Sequence, residues 1–259
     1  MYYTVKKEIF MTSIKTIKSR APKDYLVFAL DVPTVSEAAE YVHLLKNHVG
    51  MFKVGLELFV RGGRRIIDTI HDAGGGAKIF LDLKLYDIPE TVYRTMNAIA
   101  AMGVDFATVH CSGQKDMLAA AQEGADGQVG VLGVTVLTSM SADDVRDAGY
   151  GPEYIENISR LVMKRAAAAA EWGFAGIVCS PLEVSAMKER FGKGFVAVTP
   201  GIRPAKGLVS RDDQSRISTP GQAIRNGADY LVVGRPIREP DDSAAAAAAI
   251  CKEIEEALK

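Results

Sequence analysis

The sequence predicts a single (β/α)8 TIM barrel, and three observations carry that prediction. The chain has 259 residues, a length that one α/β barrel of ~250 residues uses in full. Eight short apolar runs recur along it, each nearly continuous rather than alternating, as strands of a parallel sheet read when both faces are buried. Between the runs lie segments whose apolar residues recur at helical spacing.

The runs are YLVFAL (25–30), MFKVGL (51–56), AKIFLDL (77–83), VDFATVH (104–110), VGVLGVTVL (129–137), FAGIVC (174–179), GFVAVT (194–199) and DYLVVG (229–234). Helices are expected over 34–48, 89–103 and 154–173, the last two closed by glycine. The alanine runs 166–170 and 244–249 read as helices with a small face, since alanine is the best helix former. Gly74-Gly75-Gly76 ends a helix before the third strand. An open doubly wound sheet would show the same alternation; the count of eight favours closure.

The barrel is expected to occupy 25–259 as one domain, preceded by a poorly ordered N-terminal arm, 1–24. That arm carries Lys6, Lys7, Lys15, Lys18, Arg20 and Lys23 against only Glu8 and Asp24. It lacks the apolar core of a secretory signal; an organelle transit peptide is the alternative reading. The balance of 31 Lys+Arg against 32 Asp+Glu gives no basic field, which argues against nucleic acid as a partner. Three cysteines without a CxxC pair fit a reducing, cytoplasmic setting. No apolar run reaches the ~18 residues of a membrane span.

In a parallel barrel the chemistry lies at the C-terminal ends of the strands. Read in order, those ends are Asp31, Lys53, Asp82 with Lys84, His110, Thr138, Ser180, Thr199-Pro200-Gly201 and Gly234-Arg235. Asp82 and Lys84 stand two apart on one strand and so share a face; Asp87 follows in the loop. A structural ion-pair cluster would produce the same letters. A lysine held between carboxylates stays protonated. It is then an acid and an electrostatic stabiliser, which argues against a Schiff-base lyase. The signatures of P-loops, dinucleotide folds, zinc proteases and serine hydrolases are absent, and no metal site is supported. His110, Cys111 and Cys179 read as packing residues. The longest non-periodic stretch, 201–220, falls where phosphate-binding barrels place their anion site and reads as a functional lid or a disordered loop.

The segments FALDVP (28–33), FKVGLELF (52–59), LDLKLYDIPET (81–91), VTVLTSM (134–140), VTPGIRP (198–204) and DYLVVGRPI (229–237) together resemble the bacterial type of orotidine 5′-monophosphate decarboxylases. The resemblance is collinear from about Tyr25 to the C-terminus, and its DxKxxDIPxT motif is highly specific. It implies decarboxylation of orotidine 5′-monophosphate to UMP in pyrimidine biosynthesis, with no cofactor. Asp31 and Lys53 would bind the ribose hydroxyls and position Lys84, Asp82 would face the substrate carboxylate, and Lys84 would protonate C6. Asp87, Ile88 and Thr91 would reach into the partner's site, making a homodimer with shared active sites. Thr138, with Ser139 as the neighbouring alternative, would contact the pyrimidine, while Arg203, Gln214, Gly234 and Arg235 would surround the phosphate. Two alternatives stand beside this reading: a Mg²⁺-dependent hexulose-phosphate synthase or ketogulonate-phosphate decarboxylase, and a non-catalytic phosphate-ligand sensor. Ile88-Pro89, Thr91 and TPGIRP favour the pyrimidine enzyme.

Overall fold

The computed structural model describes residues 20–204 and 217–259. Among these, all eight apolar runs form strands: β1 (Leu26–Ala29), β2 (Met51–Gly55), β3 (Lys78–Leu85), β4 (Phe106–His110), β5 (Gly130–Val134), β6 (Gly176–Val178), β7 (Val196–Thr199) and β8 (Tyr230–Val233). Each pairs parallel with the next, and β8 pairs with β1, so the sheet is a closed barrel in sequence order.

The pleat sorts each strand into two faces. Val27, Met51, Phe80, Phe106, Leu132, Val196, Val198 and Tyr230 point inward and fill the barrel. Their neighbours Phe28, Phe52, Leu81, Val109, Val131, Ile177 and Leu231 point outward, into one continuous core with helix residues such as Val42, Ile70, Met96 and Leu161. Both faces are apolar, which is why the runs lack alternation.

Local signals set the helix ends. Thr34 Oγ1 accepts from Glu37 N at 3.1 Å to start helix Val35–Leu45, and Pro89 opens helix Pro89–Ala100. The helix expected over 154–173 is split. Asn157 Oδ1 accepts from Ser159 N at 3.1 Å and begins a new helix, Ile158–Glu171, after the short turn Pro152–Ile155. Asparagine competes for backbone donors, so it serves better as a cap than inside a helix.

The N-terminal arm ends earlier than 24. Arg20 stacks on the rings of Tyr25 and Tyr230, at 4.1 and 4.6 Å to their centroids, and donates to Asp229 O at 3.1 Å. Pro22–Tyr25 then forms a 3-10 turn leading into β1. Residues 20–24 therefore belong to the barrel base; residues 1–19 lie outside the described residues. So do 205–216, which contain Gln214 and most of the expected lid. Its two ends meet through a bridge, Arg203 N to Ser218 O at 2.9 Å and Ser218 N to Gly201 O at 3.1 Å.

One glycine is required inside the barrel. Gly176 pairs with Leu132 on one side and Val196 on the other, in the filled interior row. A Cβ there would lie 2.0 Å from the Val196 backbone oxygen. The Gly176→Ala variant should lose about 3 kcal/mol or more, because the clash is with backbone and cannot relax by rotamer change. The midpoint of urea unfolding measures this.

Candidate active site

Strand phase builds the site. Two residues above Met51 the inward row of β2 reaches Lys53, and two above Phe80 that of β3 reaches Asp82. Asp31 stands two beyond Ala29, at the end of β1. The interior thus changes from apolar floor to charged rim in one step along each strand. A cleft of about 310 Å³ opens here, at the C-terminal ends of the strands. Asp31, Lys53, Asp82, Lys84, Thr138, Arg203, Gly234 and Arg235 line it, above an apolar wall of Val134, Val136, Val178 and Val232.

The charges interlock. Lys84 Nζ donates to Asp82 Oδ2 at 2.7 Å. Lys53 Nζ donates to Asp31 Oδ1 at 3.1 Å and lies 3.8 Å from Asp82 Oδ2. Lys53 is buried, 8% exposed, so these carboxylates supply its ionic partners in a setting where an unpaired ammonium would be costly. Burial acts to raise the Asp82 carboxyl. The ammonium groups of Lys53 and Lys84, with hydrogen bonds from Lys84 and Thr108, outweigh it and hold the carboxyl below its ordinary value.

The strand that carries Asp82 and Lys84 is irregular. Lys84 has φ 51°, in the left-handed region, and the register of β3 against β4 shifts between Leu81 and Leu85. The shared face expected from i, i+2 spacing is thus reached through a bulge. Sequence reasoning missed Thr108, whose Oγ1 accepts from Lys84 N at 2.8 Å and donates to Asp82 Oδ1 at 2.9 Å. Its signal was present: Phe106, Thr108 and His110 form the inward row of β4.

Asp87, Ile88 and Thr91 are exposed on the rim and outside this cleft. Asp87 Oδ1 accepts from Ile88 N at 2.7 Å. His110 packs edge-on against Tyr86, ring centroids 6.0 Å apart. Burial, then Lys84 and Arg165, pull its imidazole below the ordinary value against the opposing pull of Asp82. Burial pushes the Cys111 thiol up to about 12, and Cys179 is buried too; neither has the character of a nucleophile.

A closed (β/α)8 barrel with a charged cleft at its C-terminal mouth defines a barrel enzyme for an anionic small molecule. The profile of the orotidine 5′-phosphate decarboxylase / HUMPS family matches residues 24–250. The chain is 41% identical over 234 residues to an orotidine 5′-phosphate decarboxylase of Pelobacter propionicus, covering 88% of this chain and 94% of that one. It is 43% identical over 232 residues to the enzyme of that name from Nitrosospira multiformis, covering 89% and 94%. The crystal structure of orotidine 5′-phosphate decarboxylase from Lactobacillus acidophilus superposes with a TM-score of 0.75 at 36% identity, covering 88% of this chain and 98% of that one. The chain belongs to the orotidine 5′-phosphate decarboxylase / HUMPS family.

The depressed Asp82 value fixes the sign of one pH effect. Its ionised form is favoured in the fold, so this stabilisation is complete above the unfolded value of about 3.9 and is lost as pH falls through the lower folded value. The gap in unfolding free energy between wild type and Asp82→Asn should stay constant from pH 7 to about 5 and change below it. Urea unfolding at pH 7, 5 and 3 reads that gap; a change confined to pH 5–7 would contradict it.

Proposed function

We propose that this protein decarboxylates orotidine 5′-monophosphate to UMP in pyrimidine biosynthesis, without a cofactor. One observation carries the reading: the Asp82 carboxyl accepting from the Lys84 ammonium at 2.7 Å, in an apolar-walled cleft that also holds Arg203 and Arg235. The substrate is anionic at both ends, with a carboxylate on the pyrimidine and a phosphate on the ribose. Lys84 serves one end and Arg203 and Arg235 the other.

The reaction breaks the bond from C6 to the carboxylate carbon. Its electron pair stays on C6 in an orbital that the ring carbonyls cannot delocalise, and CO2 leaves. Asp82 disfavours the substrate carboxylate, while the Lys84 ammonium stabilises the charge growing at C6. Lys84 then gives its proton to C6 and recovers one from solvent. Asp31 and Lys53 bind the ribose hydroxyls, and Thr138 contacts the pyrimidine. Arg203, Gln214, Gly234 and Arg235 hold the phosphate, far from C6, where binding energy can be used to organise the charges.

The Mg²⁺-dependent alternative needs carboxylates free to share a cation. Here the Lys53 ammonium stands between Asp31 and Asp82, at 3.1 and 3.8 Å, which supports the cofactor-free reading. Incubation with orotidine 5′-monophosphate in excess EDTA should convert it fully to UMP, followed by loss of the orotate absorbance. Activity that EDTA abolishes and Mg²⁺ restores would move the protein to the sister class.

The working unit in this reading is a homodimer, with Asp87, Ile88 and Thr91 completing the partner's site. Exposed apolar side chains on the rim beyond β2 and β3 support it: Leu56, Val60, Tyr86 and Ile88 are 60–75% exposed. The unpaired cysteines accord with a cytoplasmic location. Lys84→Ala and Asp87→Ala should each be nearly inactive alone. In a mixed dimer, one barrel keeps its own Lys84 and borrows an intact Asp87 loop, while the other carries both defects. Equal mixing with subunit exchange should recover about a quarter of wild-type sites, since each subunit lends the loop it borrows. Mixed dimers that stay at parental activity would place Asp87 in its own barrel.

A further inference from the structure

β3 leaves regular strand geometry at the stretch where its chemistry lies. Leu81 pairs with Ala107 and Leu85 with Val109, so β3 carries two more residues than β4 over the interval. Lys84 takes a left-handed φ of 51°, a strained conformation for a residue with a side chain. The local winding accompanies the return of its ammonium onto Asp82. It also takes the Lys84 N–H out of the ladder, and a buried N–H requires an acceptor. Thr108 Oγ1, fully buried, supplies it at 2.8 Å.

The direction of bonding at this hydroxyl is forced. The amide N–H can only donate, so the hydroxyl accepts there and has a single hydrogen left to give. That hydrogen goes to Asp82 Oδ1 at 2.9 Å. An ionised carboxylate accepts it more strongly than a carboxyl protonated on that oxygen.

We propose that Thr108 is a positioning residue for the reacting pair. Its one hydroxyl anchors the left-handed backbone of Lys84 and holds the Asp82 carboxylate with Oδ2 turned to the ammonium groups. The catalytic consequence rests on the decarboxylase reading above. The charged and titratable groups around Asp82 are Lys53 on β2, backed by Asp31 after β1, Lys84 on its own strand, and His110 on β4. Both lysines address Oδ2, and Thr108 addresses Oδ1. Without the hydroxyl, the carboxylate loses its rotational lock and the Lys84 N–H its acceptor. The backbone can then relax toward the β region and carry the ammonium away from Asp82.

Three variants test this. Thr108→Val keeps the shape and removes the hydroxyl, Thr108→Ser keeps the hydroxyl, and Thr108→Ala serves where the valine variant does not fold. Loss of the hydroxyl should lower kcat on orotidine 5′-monophosphate about ten- to hundredfold, the usual weight of hydrogen bonds to charged groups. KM should stay within about threefold, because Thr108 does not line the cleft. The acid limb of kcat should move to higher pH, since Asp82 has lost a donor that favoured its ionised form. Thr108→Ser should restore both kcat and the acid limb. The Asp82 carboxyl is also titrated by 13C NMR in substrate-free protein, assigned by its loss in Asp82→Asn, and should titrate higher in Thr108→Val. Wild-type kcat in the valine or alanine variant, or an unmoved Asp82 titration, would overturn the proposal. Failure of wild-type protein to turn over the substrate would overturn the functional reading instead, and the titration would still decide the role of Thr108.

Discussion

Asp82 is the group on which the site is organised. Two ammonium groups share its Oδ2 side, Lys84 at 2.7 Å and Lys53 at 3.8 Å. Removing the carboxylate would leave two like charges facing each other in a poorly solvated cleft, and removing either lysine would leave the carboxylate under-compensated. Burial alone would favour the neutral acid, so the ionised state exists because its neighbours outweigh desolvation. The bulge in β3, the left-handed Lys84 and the hydroxyl of Thr108 all act on the geometry of this one group.

The barrel makes that arrangement possible by keeping its lower interior apolar. Phe80, Phe106, Leu132 and Tyr230 fill the barrel beneath the charges, and a low local dielectric strengthens interactions among charges above them. The outer face of the same strands packs on the helices without interruption. The strands are therefore held firmly on one face while the other carries strain and charge at its upper end. Strain at Lys84 persists because the ladder pairs flanking it, Leu81 with Ala107 and Leu85 with Val109, and the Thr108 hydroxyl hold it.

Strand positions were legible because strands buried on both faces write their burial directly into the sequence. The inward residues of the site followed from the same period. What escaped was anything needing a second chain segment. Spacing told that Asp82 and Lys84 share a face, but not that β3 winds locally to bring them together. Thr108 lay in a readable row, yet its partners are on β3, and cross-strand register cannot be read from one strand. Arg20 was assigned to a loose arm because its partners, Tyr230 and Asp229, lie about two hundred positions away. The break at Asn157 was a local signal that helical periodicity on both sides concealed.

Closure of the sheet joins the two ends of the cleft. Lys53, Asp82 and Lys84 come from β2 and β3, and Arg203, Gly234 and Arg235 from the region of β7 and β8. In an open sheet these edges would be farthest apart; pairing of β8 with β1 makes them neighbours. The contact is close. A Cβ at Gly234 would stand 3.5 Å from the Ala29 Cβ and 3.6 Å from Asp31 Oδ2. Asp31 in turn holds Lys53, which faces Asp82. A larger side chain at position 234 would therefore press on the first carboxylate of the charge chain as well as narrow the cleft near Arg235. The β8–β1 seam is thus a short hydrogen-bonded route between the arginine end and the lysine end. In the proposed reaction, where phosphate binding organises charges at C6, the two must be held at constant separation. A closed barrel fixes that separation through backbone hydrogen bonds rather than through side chains, and that makes the fold itself part of the catalytic geometry.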